Sequence, residues 1–218
     1  MGRVYCRQFL PEDTGAVGDI CYRTGLLGKD LEGTGRFDDR KLVSLVFCRY
    51  YLEHEPENCF VAVDEDSEKV MGYIIGTTDT VRQSKRFVRR MYWRIVLRML
   101  LVTWWKYPES FRKILEWTGD PSADRELALA EQYPAHLHIN IYPEYQRSGA
   151  GTLLILTFEQ WLKSRGVRGV HLVTSNHNEK ALPFYRKHGY QVLDEFDHQL
   201  WDGVHNQKGI IFGKRFAY

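Results

Sequence analysis

The chain has 218 residues, 44% hydrophobic and 27% charged, a balance that excludes a disordered polymer and fits one domain with a sizeable core, residues 1–218, carrying an insertion. A net charge of +2 gives no whole-protein argument for nucleic acid or membrane, although local patches stay open. Cys6, Cys21, Cys48 and Cys59 lack C-x-x-C spacing and lie in or beside apolar runs, so buried free thiols are expected rather than disulfides or a zinc site. That fits a reducing compartment. The N-terminus has no apolar run long enough for a signal peptide, and no segment has the length of a bare transmembrane helix. The expected location is cytoplasmic, with the nucleus as the alternative.

Residues 4–9 read as a strand, and Pro11-Glu12-Asp13 opens a helix whose Val17, Ile20 and Cys21 share one face. Residues 24–36, with Gly25, Gly28, Gly33 and Gly35, read as a loop. Asp38 or Asp39 is placed to cap a helix running to about residue 54, with Leu42, Leu45, Val46 and Tyr50 on its apolar face. Residues 59–63 and Val70–Thr77 form a hairpin around the acidic turn at 64–68. Residues 82–132 are far longer than a compact connection needs and are read as an insertion. There Arg82, Lys85, Arg86, Arg89, Arg90, Arg94 and Arg98 are interleaved with Phe87, Met91, Tyr92, Trp93, Leu97, Leu100, Leu101, Trp104 and Trp105. The pattern predicts a basic, aromatic-rich helix whose arginines argue against spanning a bilayer. Its apolar face is expected to pack on the domain or on a second copy in a homodimer; nucleic acid or a membrane surface is the less favoured contact. Short helices are predicted over residues 111–117 and 124–132.

Ala135–Ile141 alternates apolar Leu137, Ile139 and Ile141 with polar His136, His138 and Asn140, the period of a half-buried strand, and Pro143 ends it. Gln146-Arg147-Ser148-Gly149-Ala150-Gly151-Thr152 follows; then Leu154, Phe158, Trp161 and Leu162 fall at helical spacing, with Gly166 placed as the stop. A glycine loop entering a helix gathers free N–H groups and the positive end of a dipole, which makes an anion cradle. Gly151 is followed by Thr152 without a lysine, against a P-loop, and G-x-G-x-x-G is missing, against a dinucleotide fingerprint.

The remaining pattern, Q-x-x-G-x-G after a strand, resembles the pyrophosphate loop of the GNAT superfamily of acyl-CoA-dependent N-acetyltransferases. A second motif lies downstream: a short apolar strand at 170–174, then Asn178-Glu179-Lys180-Ala181-Leu182-Pro183-Phe184-Tyr185 and Gly189-Tyr190. It is similar to the superfamily's N-x-x-A, F-Y and G-[FY] series, on a helix expected from about residue 182 to Gly189. Gly72-Tyr73 resembles the G-[YF] of its third strand, where small bulk lets backbones approach. The insertion followed by Tyr133-Pro134-Ala135-His136 looks like the subfamily that includes the acetyltransferase-like domain of O-GlcNAcase.

The resemblance implies an α/β fold of the α+β type: a mixed central sheet splayed between its fourth and fifth strands, flanked by helices, with the helical insertion before the fourth strand. It implies acetyl-CoA as co-substrate and an amine acceptor, on a small molecule or a protein, attacking directly in a ternary complex. Gln146, Arg147, Ser148, Gly149, Ala150, Gly151 and Thr152 would hold pyrophosphate, Ile139, Asn140 and Ile141 would border pantetheine, and Asn178, Ala181, Phe184 and Tyr185 would complete the cofactor site. Tyr185 would protonate the departing thiolate. A cationic amine needs a base, and His136, His138 and His171 are suitable because imidazole titrates near neutrality. His138 is taken as the base with Asn140 as its orienter; the other reading of each histidine is a hydrogen-bonded ring packed under a helix. Residues 191–193 read as a strand, 194–207 as a loop and 208–212 as the last strand. His198, Trp201 and His205 lack a completing Cys or carboxylate, so no metal is expected. The competing reading of the whole chain is a catalytically inactive acetyltransferase-like binding module.

Overall fold

Strand alternation sorts the apolar residues onto two faces of a sheet, and helices cover both. The computed structural model describes residues 3–25, 30–34, 37–117, 122–197 and 206–217. The strands are β1 (Val4–Gln8), β2 (Phe60–Asp64), β3 (Val70–Thr77), β4 (Ala135–Ile141), β5 (Gly169–Ser175), β6 (Gln191–Asp197) and β7 (Lys208–Arg215). Among the described residues they form one mixed sheet in the order β1-β2-β3-β4-β5-β7-β6. Only β4 and β5 run parallel; the other neighbours are antiparallel.

On one face Val61, Val63, Tyr73 and Ile75 pack beneath α1 (Thr14–Arg23), α2 (Arg40–Phe47), α3 (Arg49–His54) and α4 (Thr80–Arg98), meeting Val17, Ile20, Leu42, Tyr50 and Met91. On the other, Phe60, Ala62, Ile74, Leu137, Val170 and Phe212 meet Leu154, Phe158 and Leu162 of the long helix Ala150–Ser164. Glycine lets two strands approach where the sequence predicts: a Cβ on Gly72 would lie 2.8 Å from the Asn140 carbonyl oxygen.

The insertion is helical. After α4 the chain continues through a π-helical turn, Met99–Thr103, into α5 (Trp104–Lys106), then α6 (Pro108–Trp117) and α7 (Ser122–Leu129). Long-range ion pairs fasten it. Arg94 reaches Glu53 of α3, and Arg98 reaches the buried Asp39, which also accepts from Thr103 Oγ1 at 2.7 Å. The π turn places Thr103 against that carboxylate.

Several predicted boundaries change. The helix expected from 38 or 39 to 54 is interrupted at Cys48, so that Asp39 caps only α2, accepting from the Leu42 amide at 3.1 Å. β6 runs on to Asp197, where a loop from 194 was expected, because Phe196 and Asp197 pair with Gly209 and Lys208. Its Asp194, Glu195 and Asp197 disguise it: charges are tolerated on an edge strand and protect it from further pairing. The last strand likewise extends to Arg215. His198, Trp201 and His205 lie outside the described residues.

Candidate active site

The fold opens a cleft in its own sheet. β4 and β5 pair only at Ala135↔Val170 and His136↔His171, and beyond His136 they part. Tyr142 donates its amide to the Met71 carbonyl of β3, so alternation turns the amides of Asn140 and His138 toward β3 and those of Ile139 and Ile141 toward the gap. A sheet edge is thereby left unpaired inside the molecule.

The glycine loop closes the far end of the cleft. Arg147 and Gly149 both adopt positive φ, 68° and 91°, and Gly149 is the N-cap of α8 (Ala150–Ser164). Left-handed backbone at a non-glycine residue is costly and recurs where backbone amides must converge. Among the described residues the amides of Arg147, Gly149, Gly151 and Thr152 have no hydrogen-bond partner, whereas that of Ala150 is taken by Ser148 Oγ at 3.3 Å. They form a preorganised anion site at a helix N-terminus.

The second motif lies against this loop. In α9 (Ala181–Lys187) Phe184 sits so close that a Cβ on Gly151 would touch its ring at 3.4 Å. Lys180 Nζ donates to Gln146 Oε1 at 2.7 Å, and Thr152 Oγ1 meets His188 Nε2 at 3.3 Å. Asn178 caps the turn after β5, its carbonyl accepting from the Ala181 amide. Tyr185 is buried against Phe212 and Tyr190, with ring centroids 5.6 and 5.9 Å away. Burial pushes its phenol up, so it stays protonated, and no described residue hydrogen-bonds its hydroxyl.

At the vertex of the gap the polar face of β4 meets α3 and the insertion. Tyr51 Oη lies 2.7 Å from His136 Nε2 and 3.3 Å from His138 Nε2. Thr80 Oγ1 gives its hydrogen to the Pro134 carbonyl and therefore accepts from His136 Nδ1 at 2.9 Å. That leaves His136 Nε2 to accept the Tyr51 proton, and His138 Nε2 to donate to the Tyr51 oxygen. His138 Nδ1 then carries a lone pair with no described partner. His138 lies in the cleft with its ring exposed yet closely walled by protein, and burial pulls its pKa below the usual imidazole range, with Glu126 pulling it back up and His171 down. His136 is pulled down further, by burial and by His138 and His171. Both rings are neutral near pH 7.

His171 extends the network, its Nδ1 bonded to the Tyr133 carbonyl at 2.9 Å and its Nε2 to Glu126 Oε2 at 3.2 Å. Sequence reading named no metal ligands, but the fold gathers three groups of ligand type, Glu126, His136 and His171, with donor atoms within 4.8 Å of one another. Every ring nitrogen of these two histidines already has a protein partner. Asn140 does not orient His138: its Nδ2 donates to the buried Tyr73 hydroxyl at 2.8 Å. Tyr51 takes that place.

A sequence model of the Acetyltransferase (GNAT) family matches residues 29–190, which include β4, the loop and α9. The chain belongs to this family. Acetyl transfer is its class of reaction. The crystal structure of SsHAT is similar over 99% of both chains, at 28% identity and a TM-score of 0.74. A mutant of agmatine N-acetyltransferase in its apo form, 15% identical over 98% of this chain and 99% of that one, reaches 0.55. The yncA acetyltransferase from Salmonella typhimurium, solved with acetyl-CoA, is 10% identical over 100% and 96% and reaches 0.59. These last two share the fold alone. Against the GNAT frame, Tyr51, Thr80 and Glu126 are the cleft residues that the sequence does not announce. They come from α3, α4 and α7, which carry none of the family's motifs, and only the fold sets them beside β4.

Proposed function

We propose that this chain acetylates a primary amine with acetyl-CoA as donor, the amine attacking directly in a ternary complex. The observation that carries the reading is the parting of β4 from β5 after His136↔His171, which leaves an unpaired strand edge leading to the loop of free amides. Extended thioester arms suit such an edge, because main-chain amides recognise an amide-bearing chain as a strand would. The amides of Arg147, Gly149, Gly151 and Thr152 hold the pyrophosphate, with Gln146, Ser148 and Ala150 shaping the loop. Those of Ile139 and Ile141 hold the pantetheine arm, with Asn140 on the same strand and Asn178, Ala181 and Phe184 on the opposite wall.

His138 Nδ1 takes a proton from the ammonium form of the acceptor, and the freed lone pair attacks the thioester carbonyl. The new carbon–nitrogen bond forms, the nitrogen releases its second proton to solvent, and the carbon–sulfur bond breaks. Tyr185 gives its proton to the leaving thiolate and regains one from solvent. A thiol has a pKa near 8.5, so a thiolate leaves readily without much help. Tyr185→Phe is accordingly expected to lower kcat by roughly a hundredfold, the lower end of general-acid effects, with little change in acetyl-CoA affinity. Unchanged turnover would remove Tyr185 from the chemistry.

Calorimetric titration with acetyl-CoA tests the reading at its base. Micromolar binding is expected, weakened at least about tenfold in Gly149→Trp, whose side chain fills open space at the loop in a positive-φ position. No binding by the native protein would favour the inactive binding module.

A further inference from the structure

The outward face of α4 changes character along its length. Its first half presents Arg82, Lys85, Arg86, Arg89 and Arg90, all exposed, and Asp79, Val81, Arg82, Lys85, Arg86 and Arg89 line an open groove of about 540 Å³. Asp79 is engaged as the N-cap, accepting from the Arg82 amide at 2.9 Å. Among the described residues Lys85, Arg86, Arg89 and Arg90 form no ion pair, in contrast to Arg94 and Arg98, which face inward to Glu53 and Asp39. The second half of the same face continues through the π turn into α5 and is apolar. Trp93, Leu97, Leu100, Leu101, Trp104 and Trp105 are 67, 52, 58, 68, 56 and 61% exposed, so six large side chains in succession stand more than half in solvent. Trp105 satisfies its own indole N–H on the Leu101 carbonyl at 3.0 Å, so that its ring needs no water there. Scattered exposed apolar residues are ordinary, but a contiguous run of this size marks a contact surface.

We infer that this face lies on an anionic lipid bilayer, the Trp93–Trp105 end seated at the headgroup–acyl boundary and the Arg82–Arg90 end against lipid phosphates and carboxylates. Aromatic and leucine side chains beside unpaired cations on one surface helix are the makings of interfacial binding. Among the described residues no helix is long and apolar enough to cross a membrane, so the helix lies on the surface rather than spanning it. Charge complementarity disfavours the other occupants. A second copy packed antiparallel across Leu97 to Leu101 along the α4–α5 axis would bring its Arg90 toward Lys106, cation against cation. A nucleic acid would engage the arginines but leave Leu97, Leu100 and Leu101 in water.

The test is co-sedimentation of the full chain with vesicles of phosphatidylcholine alone and with about a third phosphatidylserine. Binding to the anionic vesicles is expected, with a blue shift of tryptophan emission and weakening by salt. Lys85→Glu/Arg89→Glu/Arg90→Glu should weaken it roughly a hundredfold, from about a fivefold loss for each cation, and Leu100→Asp/Leu101→Asp should abolish it. Far-UV circular dichroism and acetyl-CoA affinity should be unchanged in both variants, which separates this surface from the cleft. Equal binding to both vesicles or to neither overturns the inference. So does a dimer in sedimentation velocity that Leu100→Asp/Leu101→Asp dissociates, or salt-sensitive binding to DNA that the leucine variant keeps.

Discussion

Asp39→Ala is expected to destabilise the protein by about 3 kcal/mol, measured as a lower midpoint in urea or guanidinium unfolding. Asp39 is 1% exposed and gathers four donors from three segments. It accepts from the Leu42 amide at 3.1 Å, from Arg98 Nε at 3.0 Å and Nη2 at 2.6 Å, and from Thr103 Oγ1 at 2.7 Å. Removing the carboxylate takes away the cap of α2, worth about 1 kcal/mol, and leaves a guanidinium that is only 21% exposed without its counter-charge. Water still reaches Arg98, which holds the total to the lower end of what breaking a buried pair costs. Asp39→Asn separates the two contributions, because asparagine caps a helix nearly as well but carries no charge. It should fall between wild type and alanine. A change under about 0.5 kcal/mol for Asp39→Ala would mean that the insertion is not fastened to the domain through this carboxylate.

The parts of the fold that the sequence discloses are those written in local pattern. β4 is found with its ends, Ala135 and Ile141, because His136, His138 and Asn140 alternate with leucine and isoleucine and Pro143 cannot continue the ladder. α8 is found because Gly149 and Gly166, both at positive φ, bracket it. The two motifs then fall together through contacts no spacing reveals, Phe184 on Gly151 and His188 on Thr152. The vertex of the cleft is hidden for the same reason. Tyr51 reaches His136 of β4 across 85 residues of chain and Glu126 reaches His171 of β5 across 45, and their side chains are ordinary members of helices until the sheet brings them in. In the insertion, composition shows arginine mixed with tryptophan but not which arginines are spent inward. Arg94 and Arg98 are distinguished from Arg89 and Arg90 only by acids on α3 and before α2.

His138→Ala is expected to lower kcat by roughly 10²- to 10⁴-fold at neutral pH while leaving acetyl-CoA affinity nearly intact, since its ring acts on the acceptor and not on the pyrophosphate loop. Burial lowers the His138 pKa, so the ring is already neutral, and able to take a proton, at pH 7. kcat/KM should therefore rise with pH through a limb that lies below the ordinary imidazole value and disappears in His138→Ala. Glu126 opposes the lowering, because its negative charge favours the imidazolium. Glu126→Gln removes that charge and should move the limb to still lower pH, and a shift to higher pH would contradict this placement of the carboxylate. Tyr51→Phe supplies a different signature. It deletes the hydroxyl that accepts from His138 Nε2 and donates to His136, freeing the ring to turn and to exchange tautomers. Turnover should fall while the limb persists, because the base is still present but no longer held. Loss of the limb in Tyr51→Phe with its retention in His138→Ala would assign the proton transfer elsewhere, to a water ordered by the Tyr51–His136 pair.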